Sequence, residues 1–191
     1  MASVTDSPGQ AKSSGVWRKL RDEIVSKAVI HGHVTLSSGI EAEYYVDLRK
    51  VTLAADAAPL AGQVMLDLTS DLDFDCVGGL TLGADPVALA MLHAAASQGR
   101  QLDAFVVRKE GKTHGLQRQI EGPDVAGRRV LAVEDTSTTG GSVLLAVEAL
   151  RAAGADVVAV AVLVERGAAG AIADAGLEYR AAFSLADLGL A

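Results

Sequence analysis

Residues 129–154 read RVLAVEDTSTTGGSVLLAVEALRAAG, and this stretch predicts a strand, a polar loop and a helix in immediate succession. Residues 130–133 are a short apolar run of the kind found in strands that are buried on both faces of a parallel sheet. Glu134 and Asp135 end that run, which predicts two solvated carboxylates at the carboxyl end of the strand. Apolar residues return with helical spacing from Val143 onward, so the helix begins directly after the loop.

The loop between this strand and this helix has the composition of an anion-binding site. Free amide groups at the helix N-terminus, with about half a positive charge from the helix dipole, favour an anion there. Acids beside a phosphate repel it unless something lies between them, and ribose hydroxyl groups or a divalent metal ion would fit. The alternative is structural, with the acids and hydroxyl groups only capping the loop and the helix. The loop supplies hydroxyl donors and glycines at Thr136, Ser137, Thr138, Thr139, Gly140, Gly141 and Ser142.

The composition describes a single acidic domain with a large apolar fraction. The chain has 191 residues, of which 50% are hydrophobic, and a formal net charge of −7. This charge argues against nucleic acid or an anionic membrane as a partner. Cys76 is the one cysteine, which excludes an intrachain disulfide and a cysteine-based zinc site. Residues 1–15 have no apolar core, so we expect a disordered extension rather than a signal peptide, and a cytoplasmic protein.

The rest of the chain alternates strands and helices, which predicts an α/β fold with a mostly parallel central sheet flanked by helices. An amphipathic helix opens the domain at Val16, and short extended pieces predict a small hood at about 31–55, followed by a core at about 57–191. Segment 109–128 lacks a crossover helix, which predicts an antiparallel arm. The other predicted elements are helices at 57–69, at 86–96 with Asp85 as N-cap and Pro86 as first residue, and at 168–175, and strands at 74–79, 102–107, 157–164 and 179–185.

A basic, glycine-containing loop follows the strand at 102–107. It has no apolar stripe, so we expect a mobile loop. An isolated run of this kind is usually a solvated charge cluster, but in an acidic protein with an anion site a closing lid is the better interpretation. Arg166 ends another apolar strand, at the edge where open α/β sheets bind ligands. The basic residues of the loop are Arg108, Lys109, Lys112, His114 and Arg118.

Four segments, in order, resemble motifs of one enzyme family. VLAVEDTSTTGGS is similar to the 5-phosphoribosyl-1-pyrophosphate (PRPP) motif of the type I phosphoribosyltransferases. LSSG with EYYVDLR resembles the hood of the family members that act on orotate, and GGLTLGADP resembles their pyrophosphate loop. VVRKEGKTHG resembles their catalytic loop and is the most specific of the four. The resemblance covers about residues 16–191.

This resemblance implies the type I phosphoribosyltransferase fold and transfer of a phosphoribosyl group from PRPP to orotate, which gives orotidine 5′-monophosphate and pyrophosphate in pyrimidine biosynthesis. It also implies Mg²⁺ as cofactor and a homodimer whose catalytic loop is shared across the interface. Many relatives have lysines where Ser37 and Leu82 stand here, so those two roles are not carried over.

The same resemblance implies catalytic and ligand-binding roles for particular residues. The implied catalytic residues are Lys109, Lys112, His114 and Asp135. PRPP would be bound by those four together with Arg108, Glu134, Thr136, Ser137, Thr138, Thr139, Gly140, Gly141 and Ser142. Orotate would be bound by Thr138, Arg166 and Tyr45. Mg²⁺ would be held mainly through PRPP and water, with Glu134 and Asp135 as candidate protein ligands.

Three other functions fit part of the sequence. A phosphoribosyltransferase for a purine base would not need Arg166, since a purine has no carboxylate. A non-catalytic regulator that senses PRPP and binds nucleic acid would need a basic face, which a net charge of −7 does not predict. A signalling domain of flavodoxin-like topology would need no hydroxyl-rich loop after its acids.

Overall fold

The computed structural model describes residues 14–35, 41–109 and 119–191. Residues 1–13 of the predicted disordered extension lie outside these ranges. The prediction was wrong for Ser14 and Gly15, because an α-helix begins at Gly15 and Ser14 is its N-cap. The Ser14 hydroxyl oxygen accepts a hydrogen bond from the Trp17 amide at 3.0 Å. Within the described ranges, no helix combines the length and the apolar character that a membrane crossing requires.

The elements alternate along the chain as the sequence predicts. Helix α1 continues into a π-helical turn (Ile24–Ala28), and a 3₁₀ turn (Ala186–Leu188) follows the last strand. In chain order the elements are α1 (Gly15–Glu23), β1 (Val29–Thr35), β2 (Glu41–Val46), α2 (Arg49–Thr52), α3 (Ala58–Leu68), β3 (Cys76–Leu80), α4 (Ala84–Ser97), β4 (Asp103–Val107), β5 (Ile120–Glu121), β6 (Arg129–Ser137), α5 (Gly141–Ala152), β7 (Asp156–Glu165), α6 (Ala169–Asp174) and β8 (Tyr179–Phe183).

Six strands form the main sheet, in the order β5-β4-β3-β6-β7-β8. All neighbours are parallel except β5, which pairs antiparallel with β4, so the predicted parallel sheet and its antiparallel arm are confirmed. The strand order reverses between β3 and β6, and open α/β sheets bind ligands at the carboxyl ends of the strands on either side of such a point. β6 continues to Ser137 beyond its last pairing with β3, at Ala132, so a cleft opens between the two strands.

Alternate residues of β6 face two hydrophobic cores, one on each side of the sheet. Leu131 and Val133 pack into a cluster with α1, α3 and α4, whereas Val130 and Ala132 pack into a cluster with α5 and α6. All four residues are fully buried, which explains why this strand is a continuous apolar run rather than an alternating one. The fold is therefore a three-layer arrangement with β6 in its centre.

The predicted hairpin is present as a separate two-stranded sheet of β1 and β2, and it begins at Val29 rather than His31. Its base is closed by a hydrogen bond from the Asp47 amide to the Ala28 carbonyl oxygen at 2.9 Å. Helix α1, from which the hairpin emerges, is anchored to β8. The Trp17 indole nitrogen donates to the Ala182 carbonyl oxygen at 2.9 Å, and its ring stacks on Phe183 with centroids 4.7 Å apart.

Three local predictions were wrong. Asp85 is not an N-cap, because α4 begins one residue earlier, at Ala84. Pro86 therefore lies within the first turn, where it is tolerated because an amide hydrogen at that position would have no partner in the helix. β6 does not end at Glu134, because its pairing with β7 extends the strand to Ser137. Glu134 is also not solvated, since it is 5% exposed. In each case tertiary pairing or packing overrode a local signal.

We expect Gly78→Ala to destabilise the fold, because an added Cβ would lie 2.2 Å from the Phe105 carbonyl oxygen of the neighbouring strand. Overpacking against backbone should cost about 2 kcal/mol or more and lower the Tm by roughly 4–8 °C for a chain of this length. Gly170→Ala in α6, where a Cβ meets nothing within 4 Å, is the matched control. Thermal unfolding of both variants checks this, and equal Tm values would contradict the close approach of β3 and β4.

Candidate active site

A cavity of about 320 Å³ lies at the carboxyl edge of the sheet, where β3 and β6 separate. The end of the hood provides one wall (residues 45–49), the loop after β3 a second (residues 80–83), and the end of β6 a third (residues 134–136). Lys109 and Ser142 complete the lining. Three parts of the chain that are distant in sequence thus meet at the strand-order reversal.

The two acids of β6 lie against the backbone of the loop after β3. A Cβ at Gly83 would be 2.2 Å from Glu134 Oε1 and 2.8 Å from Asp135 Oδ1, so a larger residue here would displace both carboxylates. Glu134 Oε1 accepts a hydrogen bond from the Asp135 amide at 3.2 Å, and Asp135 Oδ1 accepts one from the Thr136 amide at 2.6 Å. These contacts fix both carboxylates before any ligand is bound.

Burial next to a second acid keeps the negative charge of this pair low. Burial, followed by the charge of Asp135, raises the pKa of Glu134 to about 8. Burial also raises the pKa of Asp135, and the nearby Arg49 opposes that rise. Both shifts favour the protonated forms, so a phosphorylated ligand meets less repulsion than from two full charges.

The hydroxyl-rich loop leads from β6 into α5 as predicted. Gly140 has a φ of 79°, in the left-handed region that favours glycine, and it occupies the N-cap position without a side-chain cap for the helix. The Thr139 hydroxyl oxygen accepts a long hydrogen bond of 3.4 Å from the Gly141 amide. Thr138, Thr139, Gly141 and Ser142 are exposed. The helix N-terminus thus faces an accessible loop, the geometry that an anion site requires.

Two site residues on the hood were missed by the sequence analysis. Asp47 and Arg49 line the cavity, and Arg49 Nε donates to Asp47 Oδ1 at 2.7 Å. Arg49 Nη2 lies 3.5 Å from the Tyr45 hydroxyl, so these three side chains form one polar wall. The available signal was the polar end of the EYYVDLR segment, where an aspartate and an arginine follow the strand within three residues.

The other cationic residues that the sequence predicted for the site lie in different places. Lys109 lines the cavity, while the Arg108 side chain pairs with Glu121 at 3.6 Å. Lys112, His114 and Arg118 lie outside the described residues. Arg166 does not line the cavity, but its amide donates to the Ser137 carbonyl oxygen at 2.9 Å, which places its backbone beside the start of the hydroxyl-rich loop.

Two buried side-chain oxygens near the cavity have no hydrogen-bond partner within the described residues: Asp85 Oδ1 and Thr136 Oγ1. The other Asp85 oxygen accepts a hydrogen bond from the Thr81 hydroxyl at 2.7 Å, which fixes the loop that lies against Glu134. Buried polar atoms are rarely left unpaired, so these oxygens mark a site that a polar ligand or water completes.

We expect the ligand-free protein to lose stability as the pH rises from about 5 to 8, because folding raises the pKa of Glu134 from 4.5 to about 8. In this window the folded state binds more protons than the unfolded state, so deprotonation favours unfolding. Glu134→Gln should flatten the dependence, whereas Glu148→Gln, at an exposed position of α5, should leave it unchanged. Urea midpoints across the pH range measure this; a slope retained in Glu134→Gln would contradict the assignment.

Comparison with known proteins agrees with this geometry. Residues 51–175 match the family model described as the phosphoribosyl transferase domain. An orotate phosphoribosyltransferase of Streptomyces avermitilis is 74% identical over 123 residues, which cover 64% of this chain and 68% of that relative.

Two solved structures of the orotate phosphoribosyltransferase of Mycobacterium tuberculosis H37Rv are also similar. The one in complex with Fe(III) dicitrate is 56% identical with a TM-score of 0.84, and covers 92% of this chain and 99% of that chain. The one in complex with PRPP is 51% identical with a TM-score of 0.80, over the same shares of each chain. The matched domain and the close similarity in both sequence and structure show that this chain belongs to the phosphoribosyltransferase family.

Proposed function

We propose that this protein is an orotate phosphoribosyltransferase, a pentosyltransferase that converts PRPP and orotate into orotidine 5′-monophosphate and pyrophosphate in pyrimidine biosynthesis. The observation that carries this proposal is the cavity at the strand-order reversal, where the paired acids of β6 meet the hood and the loop after β3. The similarity to the orotate phosphoribosyltransferases of S. avermitilis and M. tuberculosis supports the choice of orotate.

In this proposal PRPP lies along the end of β6. The carboxylates of Glu134 and Asp135 accept hydrogen bonds from the ribose hydroxyl groups, and residues 136–142 bind the 5′-phosphate at the N-terminus of α5. The acids are then close to the carbon that develops positive charge as pyrophosphate leaves, and the ionised member of the pair stabilises such charge. Because Glu134 and Asp135 are fixed by the backbone, they need little reorganisation during the reaction.

Departure of pyrophosphate requires positive charge on the other side of the cavity. Among the described lining residues, Arg49 and Lys109 are the cationic ones, and they approach from the hood and from the end of β4. Arg108, Lys112 and His114 of the catalytic loop would add to them when the loop closes. His114 is suited to donate a proton to the departing pyrophosphate, since an unperturbed imidazole titrates near neutral pH.

The donor set fits Mg²⁺ bound largely through the substrate. Among the described residues no group of three or more His, Cys, Asp or Glu side chains is placed to hold a metal ion, whereas Glu134 and Asp135 lie side by side at the cavity. Mg²⁺ commonly keeps several waters and uses one or two carboxylates together with substrate phosphates. When bound there it would neutralise charge on the leaving pyrophosphate.

Orotate would occupy the space between the hood and the turn after β7. Arg166 is proposed to bind its carboxylate, because a guanidinium forms paired charge-assisted hydrogen bonds with carboxylates. Tyr45 and Thr138 would contact the base from the hood and from the loop. The direct test is PRPP-dependent loss of orotate absorbance, with adenine as the control base; turnover of adenine in place of orotate would refute the proposal.

We expect Arg166→Ala to weaken orotate use about 10- to 100-fold, because each charge-assisted hydrogen bond lost costs roughly 1.5–3 kcal/mol. The affinity for PRPP should change much less, since the proposed PRPP contacts lie on β6 and α5. Separate titrations of the variant with PRPP and with orotate measure both effects. Equal losses for the two ligands would argue against a role for Arg166 in base recognition.

A homodimer with a shared catalytic loop is also proposed, with one adjustment from the structure. Lys109 lines the cavity of its own chain, and β5 pairs with β4 of its own chain, so both ends of the loop belong to their own subunit. The residues that would reach a neighbouring site lie between these ends, where Lys112 and His114 are located. Lys109 is therefore assigned to its own subunit's site.

We expect Lys112→Ala and Arg166→Ala, assayed at an orotate concentration where each alone retains only a small fraction of wild-type activity, to recover activity when their subunits exchange. In a mixed dimer with shared loops, one site carries both defects and the other carries neither, so random mixing restores about a quarter of wild-type activity. Lys109→Ala in place of Lys112→Ala is the control that should show no recovery. If neither mixture recovers although subunit exchange is verified, the loop closes over its own subunit.

A further inference from the structure

The turn after β7 holds Arg166 between two fixed points of the backbone. Its amide donates to the Ser137 carbonyl oxygen at 2.9 Å, which extends the pairing of β6 with β7 by one bond. The next residue, Gly167, has a φ of +123°, and a Cβ there would lie 3.2 Å from the Thr138 carbonyl oxygen. The turn therefore packs directly against the start of the hydroxyl-rich loop.

The Glu165 side chain stabilises this turn by accepting hydrogen bonds from its backbone. Its Oε1 accepts a hydrogen bond of 2.6 Å from the Gly167 amide, so the bond spans the backbone of Arg166. The same oxygen accepts a longer bond of 3.4 Å from the Ala169 amide, at the first residue of α6. One carboxylate thus sets both the conformation of the turn and the start of the helix that follows.

The second carboxylate oxygen of Glu165 is bound by the neighbouring strand. Tyr179, the first residue of β8, donates its hydroxyl hydrogen to Glu165 Oε2. The ring of Tyr179 is half-buried against the core beneath α5 and α6, which gives the hydroxyl group a rigid support. Burial, and then the bond to Glu165, raises the pKa of Tyr179, so the phenol stays a hydrogen-bond donor throughout the neutral range.

These contacts show that Glu165 is engaged by its own chain. Both of its oxygens accept hydrogen bonds from internal donors, two amides and one phenol, so a contact with substrate would have to displace one of them. Its position beside Arg166 therefore indicates a supporting role rather than a role in binding.

We propose that Glu165 and Tyr179 are positioning residues for base recognition: together they hold the turn in the conformation that directs the Arg166 guanidinium toward the carboxylate of the substrate. This inference rests on the proposed function, in which Arg166 binds orotate. A guanidinium makes its paired hydrogen bonds only in a narrow range of orientations, so small rotations of the turn should cost affinity for the base.

The first test uses Tyr179→Phe, which removes one hydroxyl group and keeps the ring in the core. The KM for orotate should rise about tenfold, the cost of losing one charge-assisted contact, while the KM for PRPP changes by less than about twofold. Glu165→Gln should show the same selectivity. Glu178→Gln is the matched control, because Glu178 is adjacent to Tyr179 but pairs with Arg180, at 2.7 Å.

The second test separates positioning from general destabilisation. In an Arg166→Ala background, Tyr179→Phe should have no further effect on the KM for orotate, because the group that it positions is gone. An effect of unchanged size in that background, or equal changes for orotate and PRPP in the single variant, would overturn the inference. Tm values of all variants show whether reduced stability contributes to the change in KM. If Tyr179→Phe is unstable, the KM values of Glu165→Gln test the same proposal independently.

The two hypotheses fail in distinguishable ways. If Arg166→Ala weakens orotate selectively but Tyr179→Phe and Glu165→Gln do not, the positioning role is wrong and the proposed function stands. If Arg166→Ala itself shows no preference for orotate, the assignment of the base-binding residue is wrong, and the positioning role fails with it.

Discussion

The close approach of the Glu134 and Asp135 carboxylates to the backbone at Gly83 is the contact on which the site depends. A side chain at position 83 would force the carboxylates to move, because a Cβ would lie 2.2 Å from Glu134 Oε1. The loop after β3 can therefore cross the end of β6 at contact distance, and it shields the acids from water. Burial of this kind raises the pKa of Glu134. Cationic side chains must reach the cavity from other directions, from Arg49 on the hood and from Lys109 after β4.

This contact is possible because β6 is buried on both faces. Its alternating residues fill one core beneath α1, α3 and α4 and another beneath α5 and α6, so the strand cannot shift or rotate without disrupting both. The last residues of β6, which carry the acids, extend beyond the pairing with β3. A rigid strand thus projects its polar end into a cleft, an arrangement that favours a preorganised site.

The site combines this rigid centre with walls that are held in different ways. The hood is tied to the core through α1, where Trp17 bonds to Ala182 and stacks on Phe183. The turn that carries Arg166 is held by side chains of its own sheet, through Glu165 and Tyr179. The turn that carries Arg166 is therefore supported by a residue of β8, which lies at the opposite edge of the sheet from β5.

The sequence by itself determined the architecture and most of the polar residues at this edge. The apolar run at 130–133, followed by acids, hydroxyl groups and glycines, predicts a buried strand, a loop and a helix, because these patterns follow from local periodicity and turn chemistry. The hairpin was predictable for the same reason, whereas the parallel sheet and its antiparallel arm follow from the alternation of strands and helices and from the missing crossover helix at 109–128.

Only the tertiary structure decided how these pieces meet. Local signals placed the end of β6 at Glu134 and the cap of α4 at Asp85, but pairing with β7 extends the strand and α4 begins at Ala84. The burial of Glu134, the cavity position of Arg49 and the bond between Glu165 and Tyr179 join residues that are distant in sequence or in different elements. No local pattern encodes such contacts, because they exist only after the strands have taken their order in the sheet.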